Sequence, residues 1–164
     1  MRRDRRGNMV LEAAMFIPVL LLLIVGMVQL GKITYIYYSL KKALFAAGQY
    51  LSTQQGVNFC DDADTSIVAA KTYALTGTTD ASAESFLPAL TADMISIQAE
   101  CVDVSTGAVG PCDTSSCSTA AGSPRPDFVV VSIPDGYAVT PRIPYMLIDA
   151  IPLRPEVRVP FGGT

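Results

Sequence analysis

An uncharged, strongly apolar run occupies residues 13–31 and limits how this chain can fold. A helix rises about 1.5 Å per residue, so a run of this length crosses a hydrocarbon layer of about 30 Å. A cleaved secretory signal has a shorter apolar core and a small-residue cleavage site after it. Here Lys32 and Ile33 follow, without that pattern. The sequence therefore predicts one retained transmembrane helix at residues 8–31, followed by a water-soluble region.

The charges that flank this run predict its orientation. Arginine occupies positions 2, 3, 5 and 6, whereas Lys32 alone borders the far end. Positively charged flanks stay in the cytoplasm, so we expect residues 1–7 to be a cytoplasmic leader and residues 55–164 to be translocated. Four cysteines then lie in an oxidising compartment, where disulfides persist: Cys60, Cys101, Cys112 and Cys117.

Four cysteines allow three pairings. We expect Cys112–Cys117 to close a loop tip and Cys60–Cys101 to tie the helical region to the sheet. A zinc site is the competing interpretation, but the chain has no histidine and the expected compartment favours disulfides. We predict no metal and no cofactor.

Glu12 is an acid at the start of the apolar run. A carboxylate inside the hydrocarbon boundary costs about 2–4 kcal/mol unless it is hydrated or paired. One interpretation is that Glu12 lies shallow enough to be hydrated, or is protonated. The other is that the Glu12 carboxylate forms an ion pair with a cationic partner. Cleavage after Gly7 would create one, the α-amino group of Asn8 on a neighbouring subunit, in a low dielectric where pairing is strong.

The start of the chain resembles the class III signal of type IV pilin-like proteins, in which an arginine-rich leader ends at a glycine and an acid follows five positions later. The wider pattern resembles the TadE-like family, the minor pseudopilins of the tight-adherence (Flp) pilus system. It covers roughly the first third of the chain. Its parts are residues 7–14, a proline (Pro18) within a leucine-rich span, Gly31-Lys32, and the Ala-rich helical segment 44–50. Ala13 stands where major Flp pilins carry tyrosine, which favours a minor pseudopilin.

The resemblance implies that a prepilin peptidase cleaves between Gly7 and Asn8, and that Glu12 guides the subunit into a filament. It implies a bacterial inner-membrane protein with a periplasmic domain that supports assembly of a Flp-type pilus, a machinery of cell adhesion and secretion. The implied partners are other pilins, minor pseudopilins, the pilus assembly platform and membrane lipid. Two alternatives remain. One is an unprocessed single-pass protein with a periplasmic interaction domain. The other is a type II secretion pseudopilin, disfavoured by Val10-Leu11.

Pro18 lies within the predicted span. Proline removes one backbone donor and crowds the carbonyl of Ala14, so we expect a kink or a local break. The alternative is a tolerated membrane proline. We hypothesise that this weak point lets the first turns re-orient during assembly.

Beyond the membrane the helical pattern continues. Tyr35, Tyr37 and Tyr38 beside Lys32 are typical of an interfacial aromatic belt. Apolar residues then recur near a period of about 3.6, which predicts one helix from about Met9 to about Ser52 with a stalk at residues 32–54. The stripe either packs on the protein's own domain or meets a partner helix, and both can hold. Its members are Ile33, Ile36, Tyr37, Leu40, Leu44, Ala47 and Leu51.

The region after the stalk has the pattern of an α+β domain. Asp61, Asp62 and Asp64 precede a short helical pattern that ends at Gly77, which favours capping over a calcium site. Alternation predicts strands at 94–104, 128–133 and 153–161, the last confined by prolines to a sheet edge. Residues 137–139 could pair back as a strand, 141–150 hold a helical turn, and 105–126 form a flexible loop. We therefore expect an α+β fold with a long N-terminal helix, a short second helix and a small antiparallel, disulfide-bonded sheet.

Composition disfavours two classes of function. The whole chain carries −3 and residues 1–7 carry +3, so the remainder carries −6, a poor match for nucleic acid. The chain has no histidine, and its acids fall at caps, turns and strand faces, so no catalytic constellation is visible. We expect a non-enzyme.

Overall fold

The computed structural model describes residues 5–80, 82–113, 118–119, 125–143 and 147–162, with the backbone alone at 5–8, 10 and 11. The chain forms two compact units. The first joins Met1–Ile36 with Ala138–Ile151, and the second joins Tyr37–Tyr137 with Pro152–Thr164.

The described residues contain two α-helices, a 3₁₀ turn at Ala92–Met94 and short strands. The helices are α1 (Arg5–Ser52) and α2 (Thr65–Thr76). The strands are β1 (Ser96–Val102), β2 (Val109–Pro111), β3 (Phe128–Ser132), β4 (Tyr137–Val139), β5 (Ile151–Leu153) and β6 (Glu156–Pro160). An antiparallel sheet has the order β2-β1-β3-β6, and β4 and β5 form a second, two-stranded sheet. The fold is the predicted α+β arrangement.

The C-terminal part of α1 supplies the core of the second unit. Its buried stripe has the predicted helical spacing and is at most 1% exposed: Leu40, Leu44, Ala47 and Leu51. Gly48 lies beside this stripe, and a Cβ there would be only 2.8 Å from Cγ2 of Val159 and 3.5 Å from Cγ2 of Val131. Glycine thus lets the helix backbone approach β3 and β6 closely. The stripe is therefore buried within the protein itself.

Alternation along the strands produces the other side of this core. Val131 pairs with Ile97 on one side and Val157 on the other, and Val129 likewise lies between Ala99 and Val159. All six side chains are buried, whereas Gln98, Glu156 and Arg158 on alternate positions are exposed. The strands predicted within 94–104 and 128–133 are confirmed as β1 and β3. The strand predicted at 153–161 is confirmed for Glu156–Pro160, whereas Leu153 belongs to β5 in the second sheet. As the prolines indicate, β6 is an edge strand of the sheet.

Three local expectations are wrong. Strand β4 pairs with β5 and not back onto β3, because β1 and β6 occupy both edges of β3. Residues 105–126 are not all loop, since β2 lies within them and pairs with β1. Residues 141–143 and 147–150 contain no helical turn; positions 144–146 of that predicted turn lie outside the described residues.

The capping prediction for α2 is confirmed. Oδ1 of Asp64 accepts a hydrogen bond from the N–H of Ser66 at 2.8 Å, and Oδ2 accepts one from the N–H of Asn58 at 3.2 Å. The helix ends at Gly77, whose φ of 74° is left-handed and suits glycine. Asp64 therefore both starts α2 and holds the preceding turn.

Replacing Asp64 with alanine should lower the free energy of unfolding by about 1 kcal/mol, because an N-cap acceptor is lost. In thermal unfolding followed by circular dichroism, this corresponds to a Tm lower by about 4 °C. Asp113→Ala, at an exposed aspartate, is the matched control and should leave the Tm nearly unchanged. Equal Tm values for the two variants would contradict a capping role.

Candidate functional site

Helix α1 is exposed around its whole circumference from residue 12 to residue 24. Every residue from 12 to 24 is exposed, including large apolar side chains such as Met15 at 76% and Phe16 at 60%. Within Glu12–Ser52, the helix has an apolar stretch long enough to cross a membrane, and the protein buries none of it. Exposing so much apolar surface to water is unfavourable. By length and composition, α1 is therefore a candidate membrane span.

The predicted processing residues lie at the start of this helix. The backbone of Gly7 and Asn8 is helical, as is that of Glu12. Five residues of helix place Glu12 about 7.5 Å along the axis from Gly7. The Glu12 side chain is exposed, and no ion pair to it is found among the described side chains. A cationic partner for Glu12 would have to come from a group outside this set.

Pro18 lies inside α1, which continues on both sides of it. The expected local break is absent. Proline removes only one intrahelical hydrogen bond, and the flanking turns of an otherwise regular helix retain theirs. Pro18 therefore sits within a continuous helix, as a tolerated membrane proline would.

The observed disulfide differs from the predicted pairing. Cys101 is bonded to Cys112, with a Cα–Cα distance of 4.9 Å, so Cys60–Cys101 and Cys112–Cys117 are both wrong. The hairpin of β1 and β2 is the cause, because Cys101 lies opposite Gly110 and the N–H of Cys112 donates to the carbonyl of Ala99 at 3.1 Å. Cys60 is also disulfide-bonded, and Cys117 lies outside the described residues.

An ion pair crosses the outer face of the four-stranded sheet. Nε of Arg158 on β6 lies 2.6 Å from Oε2 of Glu100 on β1. The contact is close enough for an ion pair, although its geometry is not that of an aligned hydrogen bond. The guanidinium also lies 5.8 Å from the ring centroid of Phe128 on the intervening strand β3, within cation–π range. The three side chains connect three strands. The alternating sequence pattern predicts which face of a strand each side chain lies on, but it does not predict which side chains contact each other across strands.

An open depression of about 680 Å³ lies at the end of the β1–β2 hairpin. Two acids that line it accept hydrogen bonds from the backbone. Oδ2 of Asp127 accepts one from the N–H of Val102 at 2.7 Å. Oδ1 of Asp103 accepts hydrogen bonds from the N–H and hydroxyl of Ser105 and from the N–H of Thr106. The Ser105 hydroxyl, followed by the backbone N–H groups, lowers the pKa of Asp103. These carboxylates therefore act as turn acceptors that shape the hairpin.

A polar contact that sequence reasoning missed lies near the end of the apolar run. Nε2 of Gln29 donates a hydrogen bond to the carbonyl of Arg142 at 2.8 Å. The sequence offered one indication of this contact, because Gln29 is the single amide side chain within the apolar run 13–31. Its partner, 113 positions away, had no sequence signal.

No protein-family model, curated protein or solved structure matches this chain. The features of this chain that bear on its function are the residues at the N-terminus and the geometry of α1. Together they describe a long exposed apolar helix that carries an acid near its start and ends inside a disulfide-bonded domain.

Proposed function

We propose that this chain is a TadE-like minor pseudopilin that supports assembly of a Flp-type pilus and is processed between Gly7 and Asn8. The observation that carries the proposal is the continuity of α1 from Arg5 to Ser52. The helix is apolar and exposed through residues 12–24, and its last turns form the core of a folded domain. A pilin-like subunit needs a continuous helix of this kind between its membrane segment and its folded domain.

The chain's charges and cysteines support a definite topology for this role. The arginine-rich leader favours a cytoplasmic N-terminus, and the Cys101–Cys112 disulfide fits a domain in the oxidising periplasm. We therefore place the protein in a bacterial inner membrane as a single-pass precursor. Its partners are then the prepilin peptidase, other pilins and the pilus assembly platform, and the chain itself is a substrate and not a catalyst.

Glu12 has the central role in this proposal. Its exposed carboxylate lies within the first turns of α1, at the level where a membrane boundary would begin. An ion pair with the new α-amino group of Asn8 from a neighbouring subunit would offset the cost of holding this charge in a low dielectric. Glu12 would thus favour insertion of the processed subunit beside another pilin.

Intact mass of the protein purified from its native membrane tests the processing step. We expect a chain that begins at Asn8. Gly7→Leu should give only the full-length chain, because the new side chain blocks the close backbone approach that a glycine allows. Gly26→Leu is the matched control. A Cβ at Gly26 meets nothing within 4 Å, so this variant should still be cleaved.

The same experiment separates the alternatives. Full-length wild-type protein in cells with an active prepilin peptidase would contradict the proposal and favour the unprocessed single-pass protein. A processed chain that co-purifies with type II secretion components, and with no Flp pilin, would favour the secretion pseudopilin.

A further inference from the structure

The first unit contains a second apolar segment beside α1. From residue 12 to residue 24 every side chain of the helix is exposed, but Val25, Gln29 and Ile33 are half-buried. These positions recur every four residues and share one face of the helix. The hydrogen bond from Gln29 to the carbonyl of Arg142 shows that the main chain at residue 142 meets the helix on this face.

The depth of that contact follows from the sequence. Gln29 lies two residues before the end of the apolar run 13–31, or about 3 Å inside its outer boundary. An amide in hydrocarbon is unfavourable unless it is hydrogen-bonded, and the carbonyl of Arg142 supplies an acceptor at 2.8 Å. If α1 spans a membrane, the main chain at residue 142 therefore lies at the boundary between hydrocarbon and headgroups.

The side chains that follow suit the same location. Leu147 is fully exposed, at 106%, and Ile151 is 39% exposed, while Ile143 and Ile148 are half-buried. A leucine side chain gains about 1.5–3 kcal/mol when it leaves water for an apolar environment. The charged residues of segment 138–151 are Arg142 and Asp149, both exposed.

We propose that residues 138–143 and 147–151 form a second membrane-contacting element, in which Leu147 inserts among the lipids of the outer leaflet. The occupant of this apolar surface is phospholipid, because the segment is continuous with the candidate span through the Gln29–Arg142 bond. The exposed guanidinium of Arg142 complements lipid phosphates, and Asp149 must stay on the water side. The inference depends on the proposed function in one respect, that α1 crosses a membrane. The contact of Leu147 with lipid would hold this segment at the level of the membrane surface.

Tryptophan fluorescence in proteoliposomes tests the insertion. The chain has no tryptophan, so Leu147→Trp introduces a single reporter into the full-length protein at a position where it displaces no packing. The lipids are phosphatidylcholines brominated either near the headgroup end or at the terminus of the acyl chain. We expect blue-shifted emission, with a greater loss of intensity from bromines near the headgroup end.

Two further single-tryptophan variants serve as controls. Val104→Trp is matched in exposure, at 104%, and lies in a turn beside Asp103, so it should emit as in water and lose no intensity to brominated lipid. Met27→Trp lies in the candidate span and should be quenched by brominated lipid whatever segment 138–151 does. It reports on the anchor alone.

The outcomes are separable. Iodide, a water-soluble quencher, distinguishes the outcomes. If brominated lipid quenches Met27→Trp but only iodide quenches Leu147→Trp, α1 spans the membrane and the further inference is overturned. A blue-shifted Leu147→Trp that responds to neither quencher is covered by protein, such as a second copy, and this also overturns it. An unquenched Met27→Trp overturns the membrane anchor and with it the proposed function.

Gln29 has a positioning role in this proposal. Adding Gln29→Leu to Leu147→Trp keeps the helix apolar but removes the donor to Arg142. We expect brominated lipid to quench the double variant less than Leu147→Trp alone, with Met27→Trp quenching unaffected by the same change. Equal quenching of the single and double variants would show that this hydrogen bond does not hold the segment at the membrane.

Discussion

Replacing Leu44 with alanine should lower the free energy of unfolding by about 3 kcal/mol, one of the two largest effects expected for this protein. Leu44 is 1% exposed and lies one turn before Gly48, where the helix backbone comes close to Val131 of β3 and Val159 of β6. The rigid sheet cannot fully collapse onto the space that the leucine leaves, so the loss includes a cavity term. Thermal unfolding of the detergent-solubilised protein should show a Tm lower by about 12 °C.

Phe45→Ala is the matched control for this prediction. Phe45 is the next residue of the same helix but is 47% exposed, so its truncation removes less buried surface and leaves no enclosed cavity. We expect a Tm loss less than half of that for Leu44→Ala. If both variants lost the same stability, the second unit would not have its core on the stripe of α1 that faces the sheet.

Removing the Cys101–Cys112 disulfide, by Cys101→Ser together with Cys112→Ser, should also cost about 3 kcal/mol. The bond closes a loop with a sequence separation of 11, and the chain-entropy model gives this value for a loop of that size. Because β2 is only three residues long, we expect the loss to appear first in the hairpin. Amide exchange at Val109 and Gly110 should become faster than exchange at Val129 in β3.

Non-reducing peptide mapping provides the control for the disulfide prediction. A protease that cleaves before aspartate separates Cys101 from Cys112 at Asp103. The observed bond then predicts a linked pair of peptides, residues 93–102 with residues 103–112. Cys60 linked to the 93–102 peptide would instead restore the pairing expected from the sequence and contradict the hairpin bond. With four cysteines in the chain, the remaining pair to be sought is Cys60 with Cys117.

Much of the fold followed from local periodicity. The helix that ends at Ser52 was expected from its apolar spacing, and β1 and β6 from strict alternation, because both patterns describe one face that must leave water. The cap at Asp64 and the stop at Gly77 were readable for a similar reason. They depend on the chemistry of one residue and its immediate backbone.

The long apolar helix, the position of Glu12 near its start, the helix caps and the buried strand faces all follow from local sequence. Contacts between distant segments do not. Local sequence could not select the partner of Cys101, because the choice among the three pairings depends on which distant segment folds back beside it. Strand β2 pairs with β1 and brings Cys112 to that position. Nor could local sequence place Arg142 beside Gln29, across a separation of 113 residues. Periodicity specifies which face of an element is buried, whereas the choice of what covers that face depends on the packing of the whole chain.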